Sequence, residues 1–186
     1  MFYILKCFDP PEGYIARVEY EEDDPFRFWN TGERFDDEPE VPLQARLISD
    51  RQSVRAELWE TPLPIMSERL HAALRSAGVA NLDTYPVVLT DSRSGEQIGG
   101  YVAFNIIGVI AAADLAATRF SPGNTDRVVS ADIDHLVIDP ARVAGARMFR
   151  LAESVSAIVI DQQVRDALEA AGFTSLSFLL PEQWAG

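Results

Sequence analysis

The chain has 186 residues, 47% of them hydrophobic and 24% charged, which predicts one globular unit with a sizeable core. Its 29 acidic and 16 basic residues give a formal net charge of −13, which argues against nucleic acid and anionic membranes as ligands. Cys7 is the only cysteine, which excludes an internal disulfide and a thiolate metal cage and favours a cytoplasmic location.

The acidic residues concentrate in the first third of the chain. Residues 1–60 carry 15 acidic and 7 basic side chains, and proline-containing acidic stretches interrupt their short strand-like runs. The apolar start, residues 1–8, contains Lys6 and leads directly into Asp9-Pro10, which predicts a first strand and not a signal peptide. We expect an irregular acidic N-terminal lobe over 1–60 and an α+β domain over 61–186, packed as one compact unit.

Two amphipathic helices are predicted in the second part. Each has a capping side chain at its start and a glycine after its end: Ser67 and Gly78 for residues 67–77, Asp161 and Gly172 for residues 162–171. Apolar residues recur at helical spacing in both, so Leu74 and Leu168 should be buried.

The other apolar runs predict a mainly antiparallel sheet. Residues 85–90 and 97–110 flank the turn-rich residues 91–95, which indicates an antiparallel hairpin. The second run is apolar on both faces around Asn105, as in a central strand covered on both sides, so the amide must find partners there. Asp114 is placed to cap a short turn after it. Further strands are predicted at 129–138, 148–151, 157–160 and 175–180.

Motifs for catalysis are sparse. His71 and His135 lie far apart and outside any HExxH spacing, and the chain has neither a GxSxG elbow nor a glycine-rich phosphate loop. In an extended strand Asp132 and Asp134 would share one face next to His135, as a carboxylate metal site requires. The interpretation we adopt is a strand with its acids in water and Ile133 in the core, so no cofactor and no metal are expected.

The acidic stretches of the first third are interleaved with aromatic residues. Aromatic side chains among acids suit the capture of a basic protein surface. A solvated loop that aids solubility, with aromatics that pack the lobe onto the body, is the other interpretation, and both stay open. The predicted partner-binding residues are Glu21, Glu22, Asp23, Asp24, Phe28, Trp29, Asp36, Asp37, Glu38 and Glu40.

Residues from about 60 to 180 resemble the immunity-protein family of bacterial polymorphic toxin systems. The likeness is carried, in the family's order, by segments 64–70 (PIMSERL), 77–82 (AGVANL), 85–87 (YPV), 101–108 (YVAFNIIG) and 148–153 (MFRLAE), with Asp114 between the last two. Thr118 and Ser121 are candidates for the serine that usually follows this aspartate.

The resemblance implies a cytoplasmic protein that binds a cognate toxin and blocks it, and it brings no catalytic residues. Two alternatives come from other classes. One is a metal-dependent enzyme that uses Asp132, Asp134 and His135. The other is a general protein-interaction or ligand-sensing module.

Overall fold

A computed structural model describes residues 1–124 and 131–186. Within them the chain forms two α-helices, α1 (Glu68–Ser76) and α2 (Gln162–Ala170), and single 3-10 turns at Pro140–Arg142 and Pro181–Gln183. The strands of the described residues are β1 (Phe2–Cys7), β2 (Tyr14–Ile15), β3 (Arg17–Glu19), β4 (Leu43–Ile48), β5 (Ser53–Val54), β6 (Leu58–Trp59), β7 (Ile65–Ser67), β8 (Leu82–Asp91), β9 (Gln97–Ile106), β10 (Val109–Ile110), β11 (Arg119–Phe120), β12 (Ile133–His135), β13 (Met148–Leu151), β14 (Ile158–Asp161) and β15 (Leu176–Leu179).

The strands divide between two main sheets. A six-stranded sheet has the order β3-β4-β8-β9-β7-β6, and a five-stranded sheet has the order β10-β13-β14-β1-β15. β2 and β5 form one small two-stranded sheet, and β11 and β12 form another. Most neighbours are antiparallel, with parallel pairs at β4–β8, β10–β13 and β2–β5. The α+β class with two helices is confirmed, although the described strands form two main sheets where one was expected.

Strands of the first 60 residues enter both sheets. β1 lies between β14 and β15 and pairs antiparallel with each, so the start of the chain is held by its last third. β3 and β4 extend the six-stranded sheet next to β8. Residues 1–60 and 61–186 are thus joined by backbone hydrogen bonds in both main sheets.

Both helix predictions are confirmed. The Ser67 hydroxyl accepts a hydrogen bond from the Leu70 amide (3.0 Å), and the Asp161 carboxylate accepts one from the Val164 amide (2.8 Å). These bonds satisfy backbone donors that the first helical turn leaves without partners. The two glycines after the helices have left-handed backbones, with φ of +90° at Gly78 and +74° at Gly172.

The predicted hairpin is confirmed as β8 and β9, which pair antiparallel. Its second strand ends at Ile106, earlier than the predicted residue 110. Gly108 adopts φ of +95°, a conformation that favours glycine, and turns the chain out of the six-stranded sheet. Val109–Ile110 then forms β10 in the five-stranded sheet, so the apolar run expected to be one strand contributes to both sheets.

The helices lie in a core shared by the two sheets. Leu70 and Leu74 of α1 and Val164 and Leu168 of α2 pack with Phe104 of β9 and with residues of β1, β13 and β14. A second apolar cluster covers the other face of the six-stranded sheet, and a third covers the other face of the five-stranded sheet. The six-stranded sheet is therefore covered on both faces at β7 and β9, whereas Gln44 and Arg46 of β4 are exposed on one face.

One polar side chain also connects the sheets. The Asn81 amide donates to the Ile107 carbonyl (2.9 Å) and to the Met148 carbonyl (3.0 Å). The first acceptor follows β9 and the second begins β13, so a single side chain bridges the point where the chain passes between sheets.

The prediction of a strand over 129–138 holds only in part. Residues 129 and 130, and residues 125 and 126 of the predicted loop at 121–126, lie outside the described residues. In the described part, β12 covers Ile133–His135 and pairs with β11.

Leu74 and Leu168 are fully buried, as predicted. We expect Leu74→Ala or Leu168→Ala to lower the free energy of unfolding by about 2 to 5 kcal/mol, because each leaves a cavity in the shared core. Leu115→Ala is the matched control, since Leu115 is 41% exposed and its truncation should cost less than about 0.5 kcal/mol. Denaturant unfolding measures all three, and equal losses at buried and exposed sites would contradict the core assignment.

Candidate partner-binding face

The acidic segment, defined as residues 20–42, connects β3 to β4 without a helix or strand of its own. It holds nine acidic residues and two arginines, a net charge of −7. Such a chain repels itself and would extend into water unless the fold holds it in place. Its attachments to the six-stranded sheet therefore decide its shape.

The middle of the segment is attached through Asn105. This residue lies in β9 and is fully buried, and its Nδ2 donates to the Glu33 carbonyl (2.6 Å). The adjacent Gly108 amide donates to the Gly32 carbonyl (2.8 Å). Gly32 has φ of +77°, and a Cβ there would lie 2.5 Å from Val109 Cγ2, so the close approach requires glycine.

An aromatic cluster attaches the segment next to this point. Trp29 is 7% exposed and packs edge-to-face on Phe35, with 4.9 Å between ring centroids, and on Tyr85 of β8, at 5.6 Å. Its indole Nε1 donates to the Glu22 carboxylate (2.8 Å). Trp29 thus supports the segment from beneath, and a direct contact between Trp29 and a partner stays a prediction.

Three of the predicted acids organise the segment itself. Arg27 Nη1 donates to Glu22 (2.5 Å) and to Asp23 (2.8 Å), and the Asp24 carboxylate accepts a hydrogen bond from the Phe26 amide (2.9 Å). The arginine side chain is only 6% exposed, so the ion pair with the partly buried Glu22 is shielded from water. These contacts fold residues 22–27 into a fixed turn.

Burial, together with the negative charges of Glu22 and Asp23, raises the pKa of Tyr20 to about 12. The phenol at the start of the segment therefore stays protonated and neutral at physiological pH, and it remains able to donate a hydrogen bond.

The outer surface of the segment combines aromatic and acidic side chains. Phe26 is 83% exposed and Phe28 is 57% exposed, and together with Asp36 and Asp37 they line a shallow depression of about 250 Å³. We call these four residues the acid–aromatic face. The described contacts give neither aspartate a hydrogen bond or an ion pair, so both carboxylates are available to a partner.

The remaining predicted acids lie elsewhere on the segment. Glu21, Asp23 and Glu40 line a second depression of about 440 Å³ that reaches Tyr20. Glu38 is exposed to solvent. Phe26 is one of the aromatic residues interleaved with the acids in the sequence, but it is not among the predicted partner-binding residues. Its position directly after the turn-forming Asp24-Pro25 is the signal for an exposed aromatic.

The residues of the metal-site alternative lie in β12 or directly before it. Asp132 and Asp134 are exposed on either side of the buried Ile133, and the Ser121 hydroxyl donates to Asp134. Within residues 1–124 and 131–186, no three His, Cys, Asp or Glu side chains are grouped as metal ligands. The described geometry thus gives the metal-dependent alternative no support.

Asp114, predicted to cap a turn, accepts a hydrogen bond from the Ala116 amide (3.0 Å).

Comparison with known families identifies the chain. A model of the immunity protein family Imm11 matches residues 7–180. The chain belongs to this family. The match confirms the resemblance noted from residue 60 onward and extends it over nearly the whole chain, including the acidic segment. Membership associates this immunity protein with toxin immunity in general.

A search of curated proteins gives no match to this immunity protein. Among the described residues, neither helix has the length and apolar character needed to cross a bilayer.

Asn105→Ala removes the donor that holds the segment on the sheet. We expect the free energy of unfolding to fall by about 1 to 3 kcal/mol, because the Glu33 carbonyl loses its hydrogen-bond donor and the volume of the Asn105 amide is left unfilled. Amide hydrogen exchange should accelerate in residues 20–42 more than in α1 or α2. Asn30→Ala is the control, since Asn30 is exposed on the same segment. Unchanged stability together with unchanged exchange would show that Asn105 does not hold the segment.

Proposed function

We propose that this protein is a non-catalytic immunity protein that binds a cognate bacterial toxin in the cytoplasm and neutralises it, with the acid–aromatic face in the interface. The observation that carries this proposal is the exposure of Phe26 and Phe28 on a segment that is itself held rigidly. Family membership supplies the general role, and the surface suggests where the toxin binds.

Exposed aromatic side chains favour an interface at this position. Transferring a phenyl ring out of water stabilises a complex, and aromatic residues are enriched where protein interfaces carry most of their binding energy. Phe26 and Phe28 are adjacent on the segment, while the nearby Trp29 and Phe35 rings pack inward. The outward pair therefore remains available to fill a pocket on a partner.

The rigidity of the segment strengthens this argument. A loop that must become ordered on binding loses conformational entropy, which lowers affinity. Here Asn105, Gly108 and the Trp29 cluster already fix the backbone beneath the face. The toxin would meet a surface that is organised in advance.

The charge of the segment indicates the chemistry of the partner. A net charge of −7 within 23 residues attracts a basic surface and repels nucleic acid and anionic lipid. A toxin whose cleft binds phosphate, such as a nuclease, has a surface of this kind. The carboxylates would then occupy the cleft in place of phosphate groups.

Isolation of the toxin is the first experiment. The tagged protein is recovered from its native cell and the captured partner is identified, and the purified pair is tested for a fixed stoichiometry and for loss of the toxin's activity. The proposal predicts a stoichiometric complex in which the toxin is inactive. A captured partner whose activity is unaffected at saturation would contradict neutralisation.

The exposed acids should act mainly on association. Converting Glu21, Asp36, Asp37 and Glu38 to their amides should lower the association rate constant about tenfold at low salt, because long-range attraction steers the encounter. The difference from wild type should shrink toward 1 M salt, where the screening length falls to about 3 Å. Stopped-flow or surface-binding kinetics provide the measurement.

A matched control carries the same change in net charge. It converts Glu12, Asp132, Asp166 and Glu182, which are exposed and lie outside the segment. If the two variants lower the association rate constant equally, the acids of the segment contribute only to overall charge and solubility and do not steer the toxin to this face.

Truncation of Phe28 should act on dissociation. Phe28→Ala is expected to raise the dissociation rate constant about tenfold, because a buried aromatic contact is lost while the charge is unchanged. Phe8→Ala serves as the control, since Phe8 is 52% exposed and lies between β1 and β2, outside the face. If the two variants release the toxin at the same rate, the acid–aromatic face is not in the interface.

A further inference from the structure

A cavity of about 370 Å³ lies where the two halves of the chain meet, behind the acidic segment. Its walls come from the segment, from the connection between β6 and β7, and from the hairpin of β13 and β14. Phe28, Trp29, Pro62, Pro64 and Val155 give it largely apolar walls. Its volume is within the range of small-molecule sites in proteins.

Arg150 is the unusual residue in this cavity. It lies in β13, is 3% exposed and lines the cavity wall. Its Nη1 donates to the Val155 carbonyl (2.7 Å), but its buried Nε has no hydrogen-bond partner among the described residues. Burial lowers the pKa of Arg150 to about 10, so the guanidinium is still charged at neutral pH.

The other charged groups of the cavity are already paired. Glu22 accepts from Arg27, and Glu60 forms an ion pair with Lys6 (2.8 Å). Arg150 has no ion pair with any carboxylate of the described residues. Glu60 stabilises the Arg150 cation through space, but the almost completely buried guanidinium is left without an ion pair of its own in the part of the chain that the structure describes. A buried charge without a partner is costly to the fold.

We propose that this cavity is a binding site for a carboxylate carried on an apolar body. The carboxylate accepts hydrogen bonds from the Arg150 guanidinium, and the apolar body packs against Pro62, Pro64 and Val155. A monoanion matches the one guanidinium that has no ion pair, whereas a phosphate dianion would bring excess negative charge near Glu22 and Glu60. The source is either a free carboxylic acid or the C-terminal carboxylate of a peptide chain. The site does not depend on toxin binding.

Calorimetric titration of the full-length protein tests the site without any toxin. The probes are phenylacetate and its neutral isostere phenylacetamide, together with acetyl-Gly-Gly-Phe bearing a free C-terminal carboxylate and the same peptide as its amide. We expect saturable binding of at least one carboxylate probe, about tenfold or more tighter than that of its amide, because a charge-assisted hydrogen bond is lost in the amide. Tighter binding of phenylacetate indicates a free acid, and tighter binding of the peptide indicates a chain terminus.

Three variants locate the probe. Arg150→Met should weaken carboxylate binding about tenfold or more and leave amide binding unchanged. Ser156→Trp, at an exposed position on the rim, should weaken both without altering the core. Arg142→Met, outside the cavity, should change neither. No saturable binding by either carboxylate probe, equal binding of acids and amides, or full affinity in both Arg150→Met and Ser156→Trp would overturn the proposal.

Discussion

A buried hydrogen bond from the Asn105 amide to the Glu33 carbonyl, next to the bond from the Gly108 amide to the Gly32 carbonyl, holds the acidic segment against the six-stranded sheet. The donor lies in a strand that is otherwise apolar at this point, where an unpaired amide would be costly. The acceptor belongs to a segment whose net charge favours extension into water. The segment thereby supplies an acceptor for Asn105 Nδ2, whereas the buried Oδ1 of the same side chain has no hydrogen-bond partner among the described residues.

This attachment shapes both surfaces of the segment. With the backbone fixed at Glu33, the Trp29 and Phe35 rings pack on Tyr85, and Phe26 and Phe28 remain outside. The inner surface of the same segment forms one wall of the cavity that contains Arg150. The proposed toxin-binding face and the proposed carboxylate site therefore share one segment, and a ligand in the cavity would contact Phe28, which belongs to the face.

The sequence predicted the helix starts and the β8–β9 hairpin, because each of these depends on residues close together in the chain. Ser67 and Asp161 mark the helix starts because capping is encoded within a few residues, and the hairpin follows from two apolar runs around one turn. The alternation of Leu43, Ala45 and Leu47 with polar residues is a further local signal, and it indicates β4, where no strand was predicted. The insertion of β1 between β14 and β15 was not predictable in this way, because it joins residues about 160 positions apart.

The same distinction applies to the candidate site. Composition alone indicates the acids and aromatics of residues 21–40 as a candidate site, but it does not distinguish the buried Trp29 from the exposed Phe26, since that depends on contacts with β8.

Hydrogen exchange of the toxin complex, compared with the free protein, tests most directly the central claim that residues 20–42 form the toxin interface. The predicted result is slower exchange concentrated in residues 20–42. Protection confined to the five-stranded sheet, with residues 20–42 unchanged, would contradict it.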